Sequence, residues 1–442
     1  MHRITFLLSA VFAVAASSET LTLSLQDALT RAHQYGIQIQ TANVATLLAK
    51  EDYVQAKAAT LPSVTGINQF IYTEGNGTPS GVFVANDGVH VYNEQLNAHE
   101  ELLSLIRRGE VRAAAAAEAV AQAKAVVAAR GLNIAVVQDY YGIASADRKL
   151  KNAETTLSEA QEFFDITQKQ ERRGEAAHAD SIKAELQVQQ RKRDVQDAQL
   201  GIAKAKIALA VLIFPSLQID YEIVDDLEEI PVLPPLPEAT AQANLANPDL
   251  LAAQATAKQA RLEVTVARYA YLPSFGLDVW YGINANQFAA RTDYPTQATG
   301  RSTLPNYQVP YRQNLGYVAQ ATLNIPLWSW GAIRSKVKQA NFRGQQAQLD
   351  LTSTQRQLQA DLGSTHREAE TALSQVVSLR ASSQLSAESL RLTLLRYKAG
   401  EATTLEVVDA QTTASQARGA YDDGLVRYRV ALANLQSLTG TL

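Results

Sequence analysis

The feature that most constrains this chain is that it repeats itself. Ala58-Ala59-Thr60-Leu61-Pro62-Ser63 is echoed by Arg268-Tyr269-Ala270-Tyr271-Leu272-Pro273-Ser274, and Pro273 lies 211 residues after Pro62. At the same offset, Gly36-Ile37-Gln38 meets Asn247-Pro248-Asp249. Farther on, Gly174-Glu175-Ala176 is answered by Gly400-Glu401-Ala402, and Asp180-Ser181-Ile182 by Glu406-Val407-Val408, at an offset of 226. The 15 extra residues suit a longer insert in the second copy, between about Ala285 and Pro310. Anchors in the same order within halves of similar length argue for two copies of one structural unit. Between them runs Ile230-Pro231-Val232-Leu233-Pro234-Pro235-Leu236-Pro237. Proline cannot continue a helix, so this stretch reads as an extended linker. The expected organisation is a first repeat over 16–230, a Pro-rich linker over 231–247 and a second repeat over 248–442.

Each half has the same internal order. A helix is expected from about Leu25 to Thr60, opened by Asp27 and Ala28 and stopped by Pro62, because the residue before proline avoids the helical region. A Gly-, Asn-, Thr- and Tyr-rich segment follows and reads as a strand pair over about 62–102. The stretch from Leu102 to Arg172 contains no proline. At 1.5 Å per residue such a helix reaches roughly 100 Å. A second long helix follows from about Asp180 to Leu212, with a turn near Gly174. The second half is expected to hold a helix over Pro248–Tyr271, a strand pair over about 274–326, and helices over Gly331–Lys398 and Leu405–Leu438.

The N-terminus reads as an export signal over residues 1–15. Arg3 supplies the positive region, Ile4 to Ala16 is mostly apolar, and Ala13-Val14-Ala15 offers a small-x-small cleavage site. The apolar run is too short to span a bilayer, which takes about 20 residues. No later run approaches the roughly 18 uninterrupted apolar residues of a membrane helix, so membrane residence would require a closed β-barrel. The absence of cysteine removes disulfides, zinc–thiolate sites and a lipid-accepting N-terminal Cys. A net charge of −4 argues against nucleic-acid binding through phosphate neutralisation.

Catalytic signatures are missing. The six histidines have no metal-ligand spacing, and no phosphate-binding loop, dinucleotide fingerprint or nucleophile elbow occurs. No enzyme activity and no cofactor are expected. Asp225-Asp226 and Glu228-Glu229, beside the linker, read as a solvated acidic loop.

Strand alternation is clearest in the second half. Leu277, Val279, Tyr281 and Ile283 share one face; Gly276, Asp278, Trp280 and Gly282 share the other. Tyr317, Ala319, Ala321, Leu323 and Ile325 alternate with Gly316, Gln320, Thr322 and Asn324, with Val318 the exception, and in the first half the alternation is poor. Strands of about ten residues with one apolar face suit a transmembrane barrel and equally a half-buried soluble hairpin. In the last helix, Val407, Gln411, Ala414, Tyr421, Leu425, Tyr428, Leu432 and Leu435 fall on a heptad frame that favours a left-handed coiled coil, interrupted at Arg418. Four strands cannot close a barrel, since small ones use about eight. A membrane role therefore requires an oligomer. Glu406 and Asp409, spaced i, i+3, lie on one helix face just past Gly400. On spacing alone they suit helix N-terminal acids favoured by the macrodipole as well as a functional cluster.

The layout resembles the outer-membrane efflux protein family, the TolC-like channels. The resemblance rests on the two-fold repeat, the Leu-Pro-Ser entries at Leu61 and Leu272, and Ile325-Pro326-Leu327-Trp328-Ser329-Trp330-Gly331 entering a long helix. Its most specific stretch is Tyr397-Lys398-Ala399-Gly400-Glu401-Ala402-Thr403-Thr404-Leu405-Glu406-Val407-Val408-Asp409. The resemblance implies an α+β fold: a trimeric channel whose outer-membrane β-barrel, four strands per protomer, is continued by a coiled-coil α-helical periplasmic barrel. It implies a passive conduit of a tripartite efflux or type I secretion system. Its partners would be two further copies of the chain, a periplasmic adaptor (membrane fusion) protein, an inner-membrane transporter and outer-membrane lipid. Glu406 and Asp409 match the acidic rings of the pore entrance. Asp180, Lys183 and Tyr397 match the gate network. The turns at Gly174-Glu175 and Gly400-Glu401 match the tip that meets the adaptor. The position of the family's gate-locking arginine is Ala402 here, with Arg172, Arg173 or Lys183 as substitutes. An exported coiled-coil interaction protein without a pore is the alternative.

Overall fold

The computed structural model describes residues 21–72, 90–217, 219–286 and 315–442. The export signal expected over 1–15 and most of the insert expected after Ala285 lie outside the described residues. In chain order the elements are β1 (Leu21–Leu23), α1 (Leu25–Tyr35), α2 (Ile37–Ala58), β2 (Ser63–Tyr72), β3 (His90–Leu103), α3 (Leu105–Arg172) and α4 (His178–Ile213). They are followed by β4 (Tyr221–Ile223), α5 (Leu236–Ala246), α6 (Pro248–Tyr269), β5 (Ser274–Asn286), β6 (Leu315–Asn324), α7 (Ala332–Lys398) and α8 (Thr404–Thr439). Helix lengths agree between the halves: 11 and 11 residues for α1 and α5, 22 and 22 for α2 and α6, 68 and 67 for α3 and α7, 36 and 36 for α4 and α8.

Two expectations need correction. The single helix expected over Leu25–Thr60 breaks at Gly36. The Gly36 backbone is extended, and a Cβ there would lie 2.6 Å from Leu132 Cδ2, so only glycine allows this close approach. Its true start is Ser24, whose hydroxyl accepts from the Asp27 N–H while the Asp27 carboxylate accepts from the Ser24 N–H, a capping box. The second correction concerns the linker. Residues 236–246 of the linker expected over 231–247 form α5, with Pro235 at the N-cap and Pro237 in the first turn, so the Pro-rich run is free of helix only up to Pro235. Proline stops a helix from within but pre-sets φ at its start.

The chain forms two compact units, and neither follows one half of the sequence. One contains the described residues up to Ala42, Ala125–Leu250 and Gln355–Leu442; the other contains Asn43–Lys124 and Leu251–Thr354.

The first unit is helical around one core. Leu132, Val136, Tyr140 and Ile143 of α3 pack with Leu209 and Ile213 of α4, Ala28 and Ala32 of α1, and Leu425, Tyr428 and Leu432 of α8. The heptad positions of α8 are its buried stripe: Val407, Gln411, Ala414, Leu425, Tyr428, Leu432 and Leu435 are all buried. β1 and β4 form a short parallel pair, and the buried Tyr140 hydroxyl donates to Leu23 O (3.2 Å) and Val224 O (2.8 Å) beside it. By length and composition α3 alone among the described helices is apolar enough to cross a membrane.

The acidic segment after β4 is not the solvated loop its sequence suggests. Arg148, with its side chain 14% exposed, grips Asp225 through Nε (2.8 Å) and Nη2 (3.1 Å) and reaches Glu228 (3.0 Å) and Asp422 (3.1 Å) through Nη1. Arg429 meets Asp226 at 3.1 Å and lies over the Tyr141 ring. Burial opposes ionisation of both Asp225 and Asp422, with opposite outcomes. At Asp225 the two-pronged Arg148 bond and the Leu227 N–H outweigh it and hold the carboxyl below its usual range; at Asp422 burial wins and the carboxyl is raised. Asp225→Asn is therefore expected to lower the thermal unfolding midpoint of the detergent-solubilised protein, costing about 2 kcal/mol for a charge-assisted bond. Asp422→Asn removes a poorly solvated charge while keeping an acceptor, and its midpoint is expected to stay near wild type. The Asp225 contribution is present above the ordinary aspartate value of about 3.9. It is lost as pH falls through the depressed folded value. Equal losses in the two variants would contradict this assignment.

The second unit is built on a four-stranded antiparallel sheet in the order β2-β3-β5-β6. The register places Val64, Ala98, Val279 and Ala319 in one cross-strand row and Gly66, Leu96, Tyr281 and Tyr317 in the next. Both rows share a face, and Val64, Leu96, Tyr281 and Tyr317 are exposed on it. The opposite face carries Ser63, His99, Asp278 and Gln320, with His99 Nδ1 and Asp278 Oδ1 2.7 Å apart. Elsewhere the alternation stays mixed: Asn68, Glu94 and Glu100 share the face of the apolar rows, and Trp280 and Val318 share the opposite one. Among the described residues, the outer strands β2 and β6 each have one edge without a partner strand. At the helix-side end of the sheet, Leu61, Leu102, Tyr271, Leu272, Leu327 and Trp328 are exposed, and Trp330 is 90% exposed.

Candidate functional site

In the first unit each long helix pair reverses through the same turn. Gly174 and Gly400 have φ of 77°. The Glu175 N–H donates to Gln170 O and the Glu401 N–H to Arg396 O, both at 2.8 Å. This six-to-one bond closing on a left-handed glycine satisfies the last carbonyls of α3 and α7.

Behind the turns lies a small core. Phe163, Ala184, Tyr397 and Val407 are buried together, with Ala402 packed against them. The Tyr397 ring sits 5.0 Å from Phe163, and its hydroxyl is 3.0 Å from Thr167 Oγ1. Thr167 donates its own proton to Phe163 O at 2.9 Å, so Tyr397 is the donor to Thr167. In front of this core is a cleft of about 850 Å³ whose lining includes Glu175, Asp180, Lys183, Tyr397, Gly400 and Ala402. The sequence-derived gate residues Asp180, Lys183 and Tyr397 are thus brought together, although the Tyr397 hydroxyl turns to Thr167 instead of Asp180.

Glu406 and Asp409 stand apart from the cleft lining. Glu406 completes a capping box: its N–H donates to Thr403 Oγ1 (3.3 Å), and the Thr403 N–H donates to its Oε1 (3.1 Å). Arg396 Nη1 meets its Oε2 at 3.2 Å, and Arg396 Nη2 donates to Glu401 O at 2.9 Å. The Thr403 N–H, the Thr403 hydroxyl and the Arg396 charge hold the Glu406 carboxyl below its usual range. Asp409 is exposed one turn on. Arg172, suggested as a partner, turns back to Gln168 (2.9 Å). The arginine at Glu406 is Arg396, which sequence reasoning missed because it precedes the turn motif instead of standing in it.

Deeper along α8, Gln411 is fully buried in a chain of amides: Gln187 Nε2 donates to its Oε1 (2.9 Å), and its Nε2 donates to Glu159 O (3.1 Å). Arg418, which interrupts the heptad seam, is clamped by both oxygens of Glu159 at 3.0 Å. Such bidentate pairs fix geometry as well as charge.

Residues 239–441 match the family model described as outer membrane efflux protein. Over that stretch, a little under half of its length, this chain resembles the outer-membrane efflux protein family. Among curated relatives it is 23% identical over 208 residues to outer membrane protein TolC of Escherichia coli, an alignment covering 46% of this chain and 39% of TolC. It is 24% identical over 188 residues to outer membrane protein OprJ of Pseudomonas aeruginosa, covering 42% of this chain and 36% of OprJ. The matches thus span well under half the length of these curated relatives. In fold the likeness is nearly complete: the CmeC outer membrane channel of Campylobacter jejuni superposes with a TM-score of 0.78, covering 94% of this chain and 85% of CmeC, at 16% identity. The protein has the fold of TolC-like outer-membrane efflux proteins.

Proposed function

We propose that the protein is an outer-membrane channel of a tripartite efflux or type I secretion system, a passive conduit with a periplasmic extension. The observation that carries this reading is the four-stranded sheet: an exposed apolar patch of Val64, Leu96, Tyr281 and Tyr317 on a face that also carries Glu94 and Glu100, and, among the described residues, two edges without a partner strand. An exposed apolar patch of this kind marks a membrane or interaction surface. The order of pairing makes β2 and β6 run in opposite directions, so β6 of one copy meets β2 of the next antiparallel. Three copies supply twelve strands, an even number within the range of outer-membrane barrels. Helix α2 has no buried residue and exposes Val44, Leu47 and Leu48, a surface suited to a neighbouring copy.

In this reading the turns at Gly174-Glu175 and Gly400-Glu401 are the periplasmic tip that meets an adaptor protein, and an inner-membrane transporter drives the cargo. Asp180, Lys183 and Tyr397 form the gate network. Glu406 and Asp409 are gathered into acidic rings at the entrance, which attract cations. The Arg396–Glu406 pair takes the place of the family's gate-locking arginine, absent at Ala402. No catalytic role is proposed.

Fractionation and planar-bilayer recording test the whole reading. The protein is expected in the outer membrane, with heat-modifiable migration, and as conducting pores after reconstitution. A soluble monomer without conductance would overturn it.

A further inference from the structure

We propose that the groove between α6 and α7, just behind the helix-side rim of the sheet, binds the phosphodiester headgroup of an anionic phospholipid. The inference rests on the membrane reading above and adds a lipid preference to it. The groove has a volume of about 680 Å³ and is lined by Arg261, Arg268, Thr265, Lys338, Asn341 and Phe342 among others, with no acidic side chain. The three cations are exposed. Arg261 Nη2 is steadied by Gln348 Oε1 at 2.8 Å. The nearby Glu263 accepts from Gln259 Nε2 at 3.0 Å.

The placement of these cations runs against the local fold. From Ala332 to Leu349, α7 carries Arg334, Lys336, Lys338 and Arg343 and no carboxylate. The first three lie in its opening two turns, at the positive end of the helix dipole, where acids are favoured and cations are not. α3, which leaves the same rim, also carries Arg107 and Arg108 and no acid in its first turn, but there Arg107 is compensated by Glu101 and Glu110, each at 3.3 Å. Arg268, near the end of α6, has the macrodipole as an ordinary explanation; the α7 cations have none. An anionic surface facing the start of α7 would supply the missing compensation.

The rim fixes where that surface lies. Ser274 pairs with Asn324, so Tyr271-Leu272 and Leu327-Trp328 flank the same end of the sheet. Trp328 and Trp330 stack edge to face at 5.7 Å and are both exposed. Exposed tryptophans at the end of membrane strands mark the interface between hydrocarbon and headgroups. Lys338 is the seventh residue of α7, about 10 Å along the helix axis from that rim. Long basic side chains reach back over such a distance to phosphate level. The groove therefore offers guanidinium and ammonium donors to the phosphate, while the rim tryptophans face the glycerol and first acyl carbons.

The test uses full-length protein reconstituted in phosphatidylcholine vesicles containing a minor fraction of brominated phosphatidylglycerol or brominated phosphatidylcholine. The readout is quenching of the fluorescence of its 3 tryptophans, Trp280, Trp328 and Trp330. Brominated phosphatidylglycerol is expected to quench at several-fold lower mole fraction, with the excess shrinking as salt rises. Arg268→Gln with Lys338→Gln should reduce that excess by about fivefold per cation removed, the equivalent of ~1 kcal/mol per basic residue. Quenching by brominated phosphatidylcholine should be unchanged in the variant. Equal quenching by both lipids in the wild type, or an undiminished excess in the variant, would overturn the lipid site while leaving membrane insertion intact. Loss of the excess on adding inorganic phosphate at matched ionic strength would also overturn it, in favour of a free-ion site. No quenching by either lipid would overturn the membrane reading itself.

Discussion

Replacing Tyr397 by alanine is expected to raise the resting conductance of the reconstituted protein and to expose the turns at residues 173–176 and 399–402 to protease. Tyr397 is 5% exposed and joins α7 to α3 near the turns through its ring against Phe163 and its hydroxyl to Thr167, beside the Lys398–Glu162 ion pair at 3.2 Å and the Gln170 Nε2 bond to its backbone O at 3.4 Å. Truncating a buried aromatic side chain costs about 3–5 kcal/mol. That cost falls on the local structure holding four helix ends together, while the distant core around Tyr140 is untouched. Tyr397→Phe keeps the ring and loses one hydrogen bond worth about 1 kcal/mol. Conductance and cleavage should therefore rank alanine well above phenylalanine, and phenylalanine slightly above wild type. Wild-type conductance in the alanine variant would remove Tyr397 from the gate.

The second large effect concerns charge. Glu406→Gln combined with Asp409→Asn is expected to lower cation-over-anion selectivity, read as the reversal potential in a salt gradient, by about fivefold. That figure corresponds to ~1 kcal/mol for one unit charge a few ångströms from a passing ion in water. The substitutions separate two roles of Glu406. Glutamine still closes a capping box on Thr403, so α8 should start normally while the charge is gone. Alanine at the same position loses both, with about 1 kcal/mol from the cap. Unchanged selectivity in the double amide variant would show that these acids serve the helix start only.

The fold was largely legible in the sequence, and where it was not the reasons are local. Long helices announce themselves by the absence of proline and by a heptad stripe; every frame position named in α8 but Tyr421 is buried, although Thr404, Gly424, Ala431 and the last turn are buried outside the frame. The break at Gly36 was hidden because Asn247, its counterpart, precedes a proline while Gly36 does not, and the close approach of Leu132 has no sequence signature. α5 was hidden because proline was read only as a terminator. Of the candidate site, Tyr397, Asp180 and Lys183 were legible through the turn motif around Gly400. The ion pairs were not. Arg148 reaches Asp225 and Asp422, and Arg418 reaches Glu159, across stretches of chain that no periodicity connects.

The two bare strand edges have a further consequence. β2 comes from the first half of the chain and β6 from the second, so each copy ends in two unlike connectors rather than a self-complementary patch. Joining such connectors head to tail has no intrinsic stopping point: the same contact makes a ring or an open filament. What halts growth is the tilt and stagger of the strands, which decide whether the last copy meets the first. Copy number is then a property of sheet curvature, and a substitution that flattens the sheet would turn a closed assembly into an open polymer without touching either edge.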